Sequence, residues 1–110
     1  MRTILYAAAV LAAGPAAAEI MTVRYLCERG VEVPATYVNA EDMEPVAVIH
    51  VEGEQITLIL EPSASGARYG WPSGGSNYVW WTKGDSATLY WRDGETTIEE
   101  PVYSECLRRE

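Results

Sequence analysis

Residues 63–85 carry the sequence SASGARYGWPSGGSNYVWWTKGD, and the turns at its two ends indicate a chain built from hairpins. Residues 63–66, Ser-Ala-Ser-Gly, combine small side chains with a glycine that tolerates positive φ, so they predict a tight exposed loop. Lys-Gly-Asp at 83–85 separates an aromatic run from the alternating run 86–91, which predicts a β-hairpin with Lys83 at or near its tip. One cation therefore stands out on this hairpin.

Alternation with period two recurs along the rest of the chain and predicts an all-β protein. In residues 31–38, for example, every second residue is apolar. The strands predicted in this way are 23–28, 31–38, 46–51, 55–60, 77–82, 86–92, 96–99 and 102–106. Pro34 indicates an edge or a bulge, and Asp93-Gly94 a two-residue turn. Short strands joined by hairpin-length turns favour a small antiparallel meander that closes on itself, because closure removes exposed strand edges.

The first 18 residues have the pattern of a secretory leader. Arg2 supplies a positive start, residues 4–13 an apolar segment, and Ala16-Ala17-Ala18 a small-residue cleavage site. The apolar segment is too short to span a membrane. A lipid anchor would need a cysteine just after it, and the first cysteine is Cys27. We therefore expect residues 1–18 to be removed and residues 19–110 to form one soluble periplasmic domain without a membrane anchor.

The two cysteines, Cys27 and Cys106, lie near opposite ends of the mature sequence. A domain of 92 residues has a small core and gains stability from a covalent link. In an oxidising compartment, one disulfide is favoured over two free thiols or a metal pair. The chain has a single histidine and no Cys-x-x-Cys, so no metal-ligand spacing is present, and we predict neither metal nor cofactor.

The chain is strongly acidic, with 16 Asp and Glu residues against 8 Lys and Arg and a formal net charge of −8. Loss of Arg2 with the leader leaves 7 basic residues and a net charge of −9. This charge argues against nucleic acid as a partner. It keeps an exported protein soluble, and it also suits steering towards a basic partner.

Several short motifs together resemble one protein family. They are SGARY at 65–69, WTKGD at 81–85 and Ala-x-Leu at 87–89. Further matches are Tyr25-x-Cys27-x-x-Gly30, Tyr37, Ala47-Val48, Gly53, Leu58 and Cys106, so the likeness spans essentially the whole mature chain. On these residues the chain resembles the MliC/PliC family, the membrane-bound and periplasmic inhibitors of C-type lysozyme.

The resemblance implies an eight-stranded antiparallel barrel, no enzymatic activity, and C-type lysozyme as the protein partner. In the family, the serine before Gly-x-x-Tyr and the lysine of the Trp-x-Lys-Gly turn enter the lysozyme cleft, and these positions are Ser65 and Lys83 here. The residues expected to support the two loops are Gly66, Arg68, Tyr69, Thr82 and Gly84. Segment 70–76 is a departure, because it makes the spacing from Tyr69 to Lys83 several residues longer than is usual in the family.

Other interpretations remain open from the residues alone. An enzyme would need Ser65 as nucleophile and His50 as its base, and no spacing supports such a pair. A small β-barrel could bind an apolar ligand, although short strands enclose little beyond their own side chains. The four tryptophans and six mature tyrosines could form a stacking surface for a cell-wall glycan. Interior packing is the commoner role of such residues, and alternation predicts Ala87, Leu89 and Trp91 on one inward face.

Overall fold

The computed structural model describes residues 18–109, which form a closed barrel of eight antiparallel strands. The strands are β1 (Ala18–Leu26), β2 (Glu32–Ala40), β3 (Val46–Val51), β4 (Glu54–Glu61), β5 (Ala67–Gly70), β6 (Asn77–Lys83), β7 (Ser86–Arg92) and β8 (Glu99–Arg109). Each strand pairs with the next along the chain, and β8 closes on β1. The predicted all-β, eight-stranded meander is therefore confirmed. Apart from Ala18, the predicted leader lies outside the described residues, and none of the helices within 18–109 is long and apolar enough to cross a membrane.

The first strand is longer than the alternation pattern predicts. β1 begins at Ala18, and residues 18–23 pair with β2 alone because the β8 partner of β1 ends opposite Arg24. Most of these residues are exposed, and Ile20, for example, is 68 % exposed. Their side chains therefore do not follow the alternation from which a strand can be predicted. Pro34 lies one residue outside the pairing of β2 with β3, which begins at Ala35. The predicted local edge at this proline is therefore confirmed.

Strand β5 has only four residues, too few for alternation to predict it. Its pairing with β6 nevertheless runs through Ala67, Arg68 and Tyr69, opposite Thr82, Trp81 and Trp80 respectively. The tight-loop prediction for residues 63–66 is confirmed, because these residues connect β4 to β5 and Gly66 has a φ of 65°.

The connection from β7 to β8 differs from the prediction. The Asp93 carboxylate accepts the N–H groups of Glu95 and Thr96 at 2.8 and 3.0 Å, and its carbonyl accepts that of Thr97 at 2.9 Å. A six-residue loop, 93–98, therefore replaces the predicted two-residue turn and most of the predicted strand 96–99. The last strand absorbs residues 102–106 into one longer element.

The barrel interior is filled by the inward side chains of all eight strands. Trp80, Ile49, Leu58 and Leu89 are fully buried. Trp91, predicted to point inward with Ala87 and Leu89, is instead 43 % exposed. Its face is nevertheless the predicted one, because β7 pairs with β6 without a register shift and Tyr78, directly opposite Trp91, packs against the core. The shared face predicted for Ala87, Leu89 and Trp91 is thus confirmed, whereas the burial expected for Trp91 is incomplete because this residue lies near the end of β7.

The predicted disulfide is present. Cys27 and Cys106 are bonded across 79 residues of sequence. Both cysteines belong to the core, with exposures of 4 % and 0 %. The bond ties the start of the 3-10 turn Glu28–Gly30 to β8, next to the seam where β8 meets β1.

A chain of hydrogen bonds crosses the aromatic core. The hydroxyls of Tyr25 and Tyr37 are 2.7 Å apart, and the Trp80 indole N–H donates to Tyr37 at 2.8 Å. Burial is the main cause that raises the pKa of Tyr37 well above its usual range, and burial also raises the pKa of Tyr25. Both hydroxyls therefore remain protonated in the folded barrel at pH values where an unfolded tyrosine ionises.

We expect the free energy of unfolding to fall in alkali for this reason. A raised tyrosine pKa contributes stability that is complete below the unfolded value of about 10 and is lost as the pH rises towards the folded value. Urea unfolding followed by circular dichroism between about pH 8 and pH 12 measures this dependence. Tyr37→Phe should flatten the alkaline slope, whereas a slope equal to that of the wild type would contradict the assignment to the buried pair.

Candidate functional site

The two loops predicted to bind a partner lie at the same end of the barrel. Loop 62–66 leads into β5, and the turn 84–85 follows β6. Because β5 and β6 are antiparallel neighbours, the start of one lies beside the end of the other, with Ala67 opposite Thr82. We call this the Ser65–Lys83 end. Loop 71–76 joins the other ends of the same two strands, so the extra length of segment 70–76 does not separate Ser65 from Lys83.

Gly66 lets the first loop rest directly on the second. A Cβ at this position would collide with the Thr82 carbonyl oxygen and would lie 2.8 Å from Lys83 Cγ. Its φ of 65° is also one that side chains disfavour. Gly84, with a φ of 57°, makes the tight turn between Lys83 and Ser86, which are paired. Both glycines are therefore required by backbone geometry, as the supporting role predicted for them implies.

Trp81 connects the two loops. Its indole N–H donates to the Ser65 carbonyl at 3.0 Å. The Lys83 ammonium lies 4.3 Å from the centre of the same ring, within the range of a cation–π contact. Thr82, on the intervening position of β6, donates its hydroxyl to the Ala67 carbonyl at 3.4 Å. One side chain thus fixes the backbone at Ser65 and the position of the cation at Lys83.

Arg68 also contacts Trp81, with its guanidinium carbon 5.3 Å from the ring centre. Arg68 is in turn held by Glu61 and Glu99, and Arg92 binds the same two carboxylates at 3.0 and 3.7 Å. The four side chains are only 17 to 24 % exposed. Burial lowers the pKa of Arg68, but Glu99 and Glu61 outweigh that effect and raise it overall, so the guanidinium stays charged.

Gly70 leaves the space in which this network forms. A Cβ there would collide with the carboxylate of Glu61 and the guanidinium of Arg92. Its φ is not left-handed, so an added Cβ would act only by displacing the ends of these two flexible side chains.

Lys83 is the chain's only lysine. Within residues 18–109, no carboxylate comes close enough to form an ion pair with it. Most of the arginines described are engaged elsewhere, for example Arg24 and Arg109 with Glu32. Lys83 and Ser65 are both exposed, so the ammonium and the hydroxyl face solvent.

Tyr69, which was predicted to support the Ser65 loop, lies inside the barrel. It is 7 % exposed and lies with its ring centre 5.6 Å from that of Tyr37. The structure brings Ser65, Lys83 and the residues expected to support them to one end of the barrel, and their role in binding stays a prediction. Sequence reasoning did not name Trp81 or the partners of Arg68. Strand alternation carries a signal for Trp81, because residues 81 and 83 share the outer face of β6.

The two non-inhibitor sites considered from the sequence find little support in this arrangement. His50 is exposed near the end of β3, which is the opposite end of the barrel from Ser65. Tyr25, Tyr37 and Tyr69 line a shallow pocket of about 160 Å³ at the barrel mouth, which is far smaller than a ligand cavity of roughly 300–1,000 Å³. Below it, the interior is occupied by side chains such as Trp80.

Residues 25–98 match the sequence profile of the family described as the membrane-bound lysozyme inhibitors of C-type lysozyme. The chain belongs to this family. The match covers about two thirds of the chain and includes both loops and the Trp81 strand between them. Members of the family are inhibitors and not enzymes, so the prediction that this chain is not an enzyme is confirmed.

Three relatives show how close the likeness to this inhibitor family is. A membrane-bound lysozyme inhibitor of C-type lysozyme from Cupriavidus necator is 38 % identical over 62 residues, which are 56 % of this chain and 46 % of that protein. The chain thus spans about half the length of this curated relative. The crystal structure of Pseudomonas aeruginosa MliC in complex with hen egg white lysozyme is 32 % identical with a TM-score of 0.65, covering 87 % of this chain and 88 % of that one. The periplasmic inhibitor PliC of Salmonella typhimurium is 32 % identical with a TM-score of 0.68, covering 84 % and 100 %.

Proposed function

We propose that this protein inhibits C-type lysozyme by placing the Ser65 loop and the Lys83 turn in the active-site cleft of the enzyme. The observation that carries the proposal is Trp81, which bonds the Ser65 backbone at 3.0 Å and holds the Lys83 ammonium at 4.3 Å from its ring. Two exposed loops so joined form a single preformed projection. Rigid presentation favours affinity, because little ordering entropy is lost on binding.

The chemistry of the two side chains suits a glycosidase cleft. Retaining glycosidases carry two carboxyl groups about 5 Å apart. The Lys83 ammonium can donate three hydrogen bonds and pairs with a carboxylate, whereas the Ser65 hydroxyl can donate to one carboxyl group or accept from a protonated one. Substrate is then excluded by occupancy alone, with no bond made or broken.

A lysis assay with purified residues 19–110 and lysozymes of the C, G and I types tests this function. We expect inhibition of the C type and little or none of the other two. Undiminished lysis by C-type lysozyme at a large molar excess of the protein would rule the proposal out. Inhibition of another type alone would reassign the partner.

We further propose that the protein acts as a soluble periplasmic domain that begins at Glu19. Cleavage there removes only Ala18 from β1, and the paired residues 19–26 stay within the domain. Cys27 is bonded to Cys106, which leaves no thiol there for a lipid. Mass spectrometry of the exported protein should give the unmodified mass of residues 19–110, and a lipid-sized increment would contradict the proposal.

The acidic charge should speed association with a basic lysozyme. Electrostatic steering acts on the on-rate and is screened as ionic strength rises. Raising the salt concentration from about 10 to 150 mM should therefore slow association several-fold and leave the off-rate nearly unchanged, as measured by surface plasmon resonance. An on-rate that does not change with salt concentration would indicate that the charge serves solubility and not steering.

Trp81→Phe should weaken inhibition without unfolding the barrel. The variant keeps an aromatic ring beneath Lys83 but loses the N–H that bonds the Ser65 carbonyl, a loss of about 0.5–1.5 kcal/mol or roughly 2- to 12-fold in affinity. Tyr90→Phe is the matched control, because Tyr90 lies 6.3 Å from the Trp81 ring and makes no hydrogen bond to either loop among the described residues. Equal inhibition constants for Trp81→Phe and the control would remove Trp81 from the mechanism.

A further inference from the structure

Two loops at the end of the barrel opposite Ser65 and Lys83, which we call the far end, pack against each other. They are residues 71–76 between β5 and β6, and residues 93–98 between β7 and β8. A Cβ on Gly94 would lie only 2.6 Å from the carbonyl carbon of Gly75, so the two backbones are in direct contact. The Gly94 N–H also donates to the Ser76 hydroxyl at 2.9 Å. The loops therefore form a joint structure with a fixed shape.

A cleft of about 240 Å³ lies between these loops. Trp71 lines it and is 42 % exposed. Polar groups surround the indole. Asp93 uses one carboxylate oxygen to hold its own loop and keeps the other oxygen available, and Asn77 uses its amide oxygen for the Tyr78 N–H at 2.7 Å and keeps its NH₂ group. Arg92 contributes a guanidinium on the same side.

A second tryptophan continues this surface. Trp91, 43 % exposed, lines an adjacent pocket of about 230 Å³ that shares Asp93 with the first. The Tyr78 ring packs edge-to-face on Trp91 with 5.0 Å between ring centres, which fixes the orientation of the indole. Two exposed indoles thus flank one carboxylate, whereas Trp80 on the neighbouring strand is fully buried.

We infer that the far end is a glycan-binding site that takes two linked sugar rings. A pyranose ring has an apolar face of C–H groups, which packs on an indole, and hydroxyls around its edge, which need donors and acceptors. The two pockets supply an indole each, and Asp93, Asn77 and Arg92 supply the polar groups. Each pocket is smaller than the roughly 300–1,000 Å³ of a drug-sized ligand site, so each suits one ring.

The charges select an uncharged glycan. Asp93 and Glu100 line the second pocket, and Arg92 is neutralised by Glu61 at 3.0 Å. An anionic polysaccharide would meet repulsion there. Polymers of N-acetylated hexosamine have the required neutral rings and are the substrate chemistry of lysozyme, and this choice of glycan rests on the proposed function. Binding of such an uncharged polymer at the far end would leave Ser65 and Lys83 free at the other end.

Titration with a soluble N-acetylglucosamine tetramer in the absence of lysozyme tests the site. Heteronuclear NMR should show shifts of the Trp71 and Trp91 indole N–H signals, with a dissociation constant below about 1 mM. Trp71→Ala should weaken binding at least tenfold, and Trp91→Tyr, which keeps a ring against Tyr78, should weaken it less. Lys83→Ala should bind the tetramer as the wild type does. Retention on insoluble chitin, an uncharged polymer of the same ring, should follow the same order.

Several results would overturn the glycan site. They are the absence of indole shifts at 10 mM tetramer, wild-type affinity in a folded Trp71→Ala protein, or equal binding of an anionic polysaccharide. Concentration-dependent self-association that Trp71→Ala abolishes would show that the exposed indoles contact a second copy instead. Lysozyme inhibition is measured on the same variants, and Trp71→Ala should inhibit as the wild type does. The experiment can therefore contradict glycan binding at the far end without contradicting lysozyme inhibition by the Ser65–Lys83 end, and the reverse.

Discussion

Lys83→Ala should abolish most lysozyme inhibition while the protein stays folded. In the proposed complex the ammonium lies beside desolvated carboxylates of the enzyme, and its removal leaves a buried charge without a partner. Truncating one member of such a pair costs about 2 to 5 kcal/mol, or roughly 30- to several-thousand-fold in affinity. The side chain is exposed at the end of β6 and forms no ion pair within residues 18–109, so little stability depends on it.

Two variants calibrate this result. Ser65→Ala removes one hydrogen bond to a charged group, a loss of about 1.5–3 kcal/mol that should reduce inhibition by the same mechanism but less severely. Arg29→Ala removes an equal charge at the far end of the barrel, where Arg29 donates to the Val102 carbonyl at 3.2 Å. Inhibition constants and circular dichroism are measured together. Full inhibition by a folded Lys83→Ala protein, or an equal loss in Arg29→Ala, would refute insertion of Lys83 into the cleft.

Removal of the disulfide should produce the largest loss of stability. A bond that closes 79 residues stabilises the native state by about 4 to 5 kcal/mol through its effect on the unfolded chain. That is a large share of the 5–15 kcal/mol typical of a whole domain. In a domain of this size, each kcal/mol lost from the free energy of unfolding lowers the melting temperature by about 4–8 °C. The melting temperature should therefore fall by more than about 15 °C.

The double variant Cys27→Ala/Cys106→Ala is the suitable comparison. Both cysteines are almost fully buried, and serine would add the cost of burying two hydroxyl groups. Thermal unfolding of the wild type with and without reductant provides the control, because reduction opens the bond without changing the sequence. Equal melting temperatures for the oxidised wild type and the double variant would show that the bond contributes nothing.

Most of the fold follows from local rules that the sequence displays. Alternation in residues 31–38 placed Val33, Ala35 and Tyr37 inside the barrel, and the glycine at 84 marked the hairpin. The features that were missed depend on contacts that strand alternation does not encode. Strand β5 is defined by its neighbours and not by its four residues, and Trp91 keeps the predicted face but is exposed because it lies near the end of β7.

In the candidate site, too, some residues could be predicted from the sequence and others could not. Ser65 and Lys83 were found through the motifs that contain them, and the supporting glycines through the turns they make. Arg68 belongs to an ion-pair network with Glu61, Arg92 and Glu99, which lie up to 38 positions apart in the sequence. No local sequence pattern predicts this network. The order of the strands from β4 to β8 in the sheet brings these residues to one outer surface.

A double-mutant cycle across the proposed complex tests the central claim most directly. Lys83→Ala is combined with C-type lysozyme in which a catalytic carboxylic acid is replaced by its amide, and all four dissociation constants are measured by calorimetry. Because close charge pairs couple by about 1.5 kcal/mol or more, insertion of Lys83 into the cleft predicts that the two losses fall short of additivity by at least about tenfold in affinity. Losses that add within about 0.5 kcal/mol would place Lys83 away from the catalytic carboxylates and contradict the account.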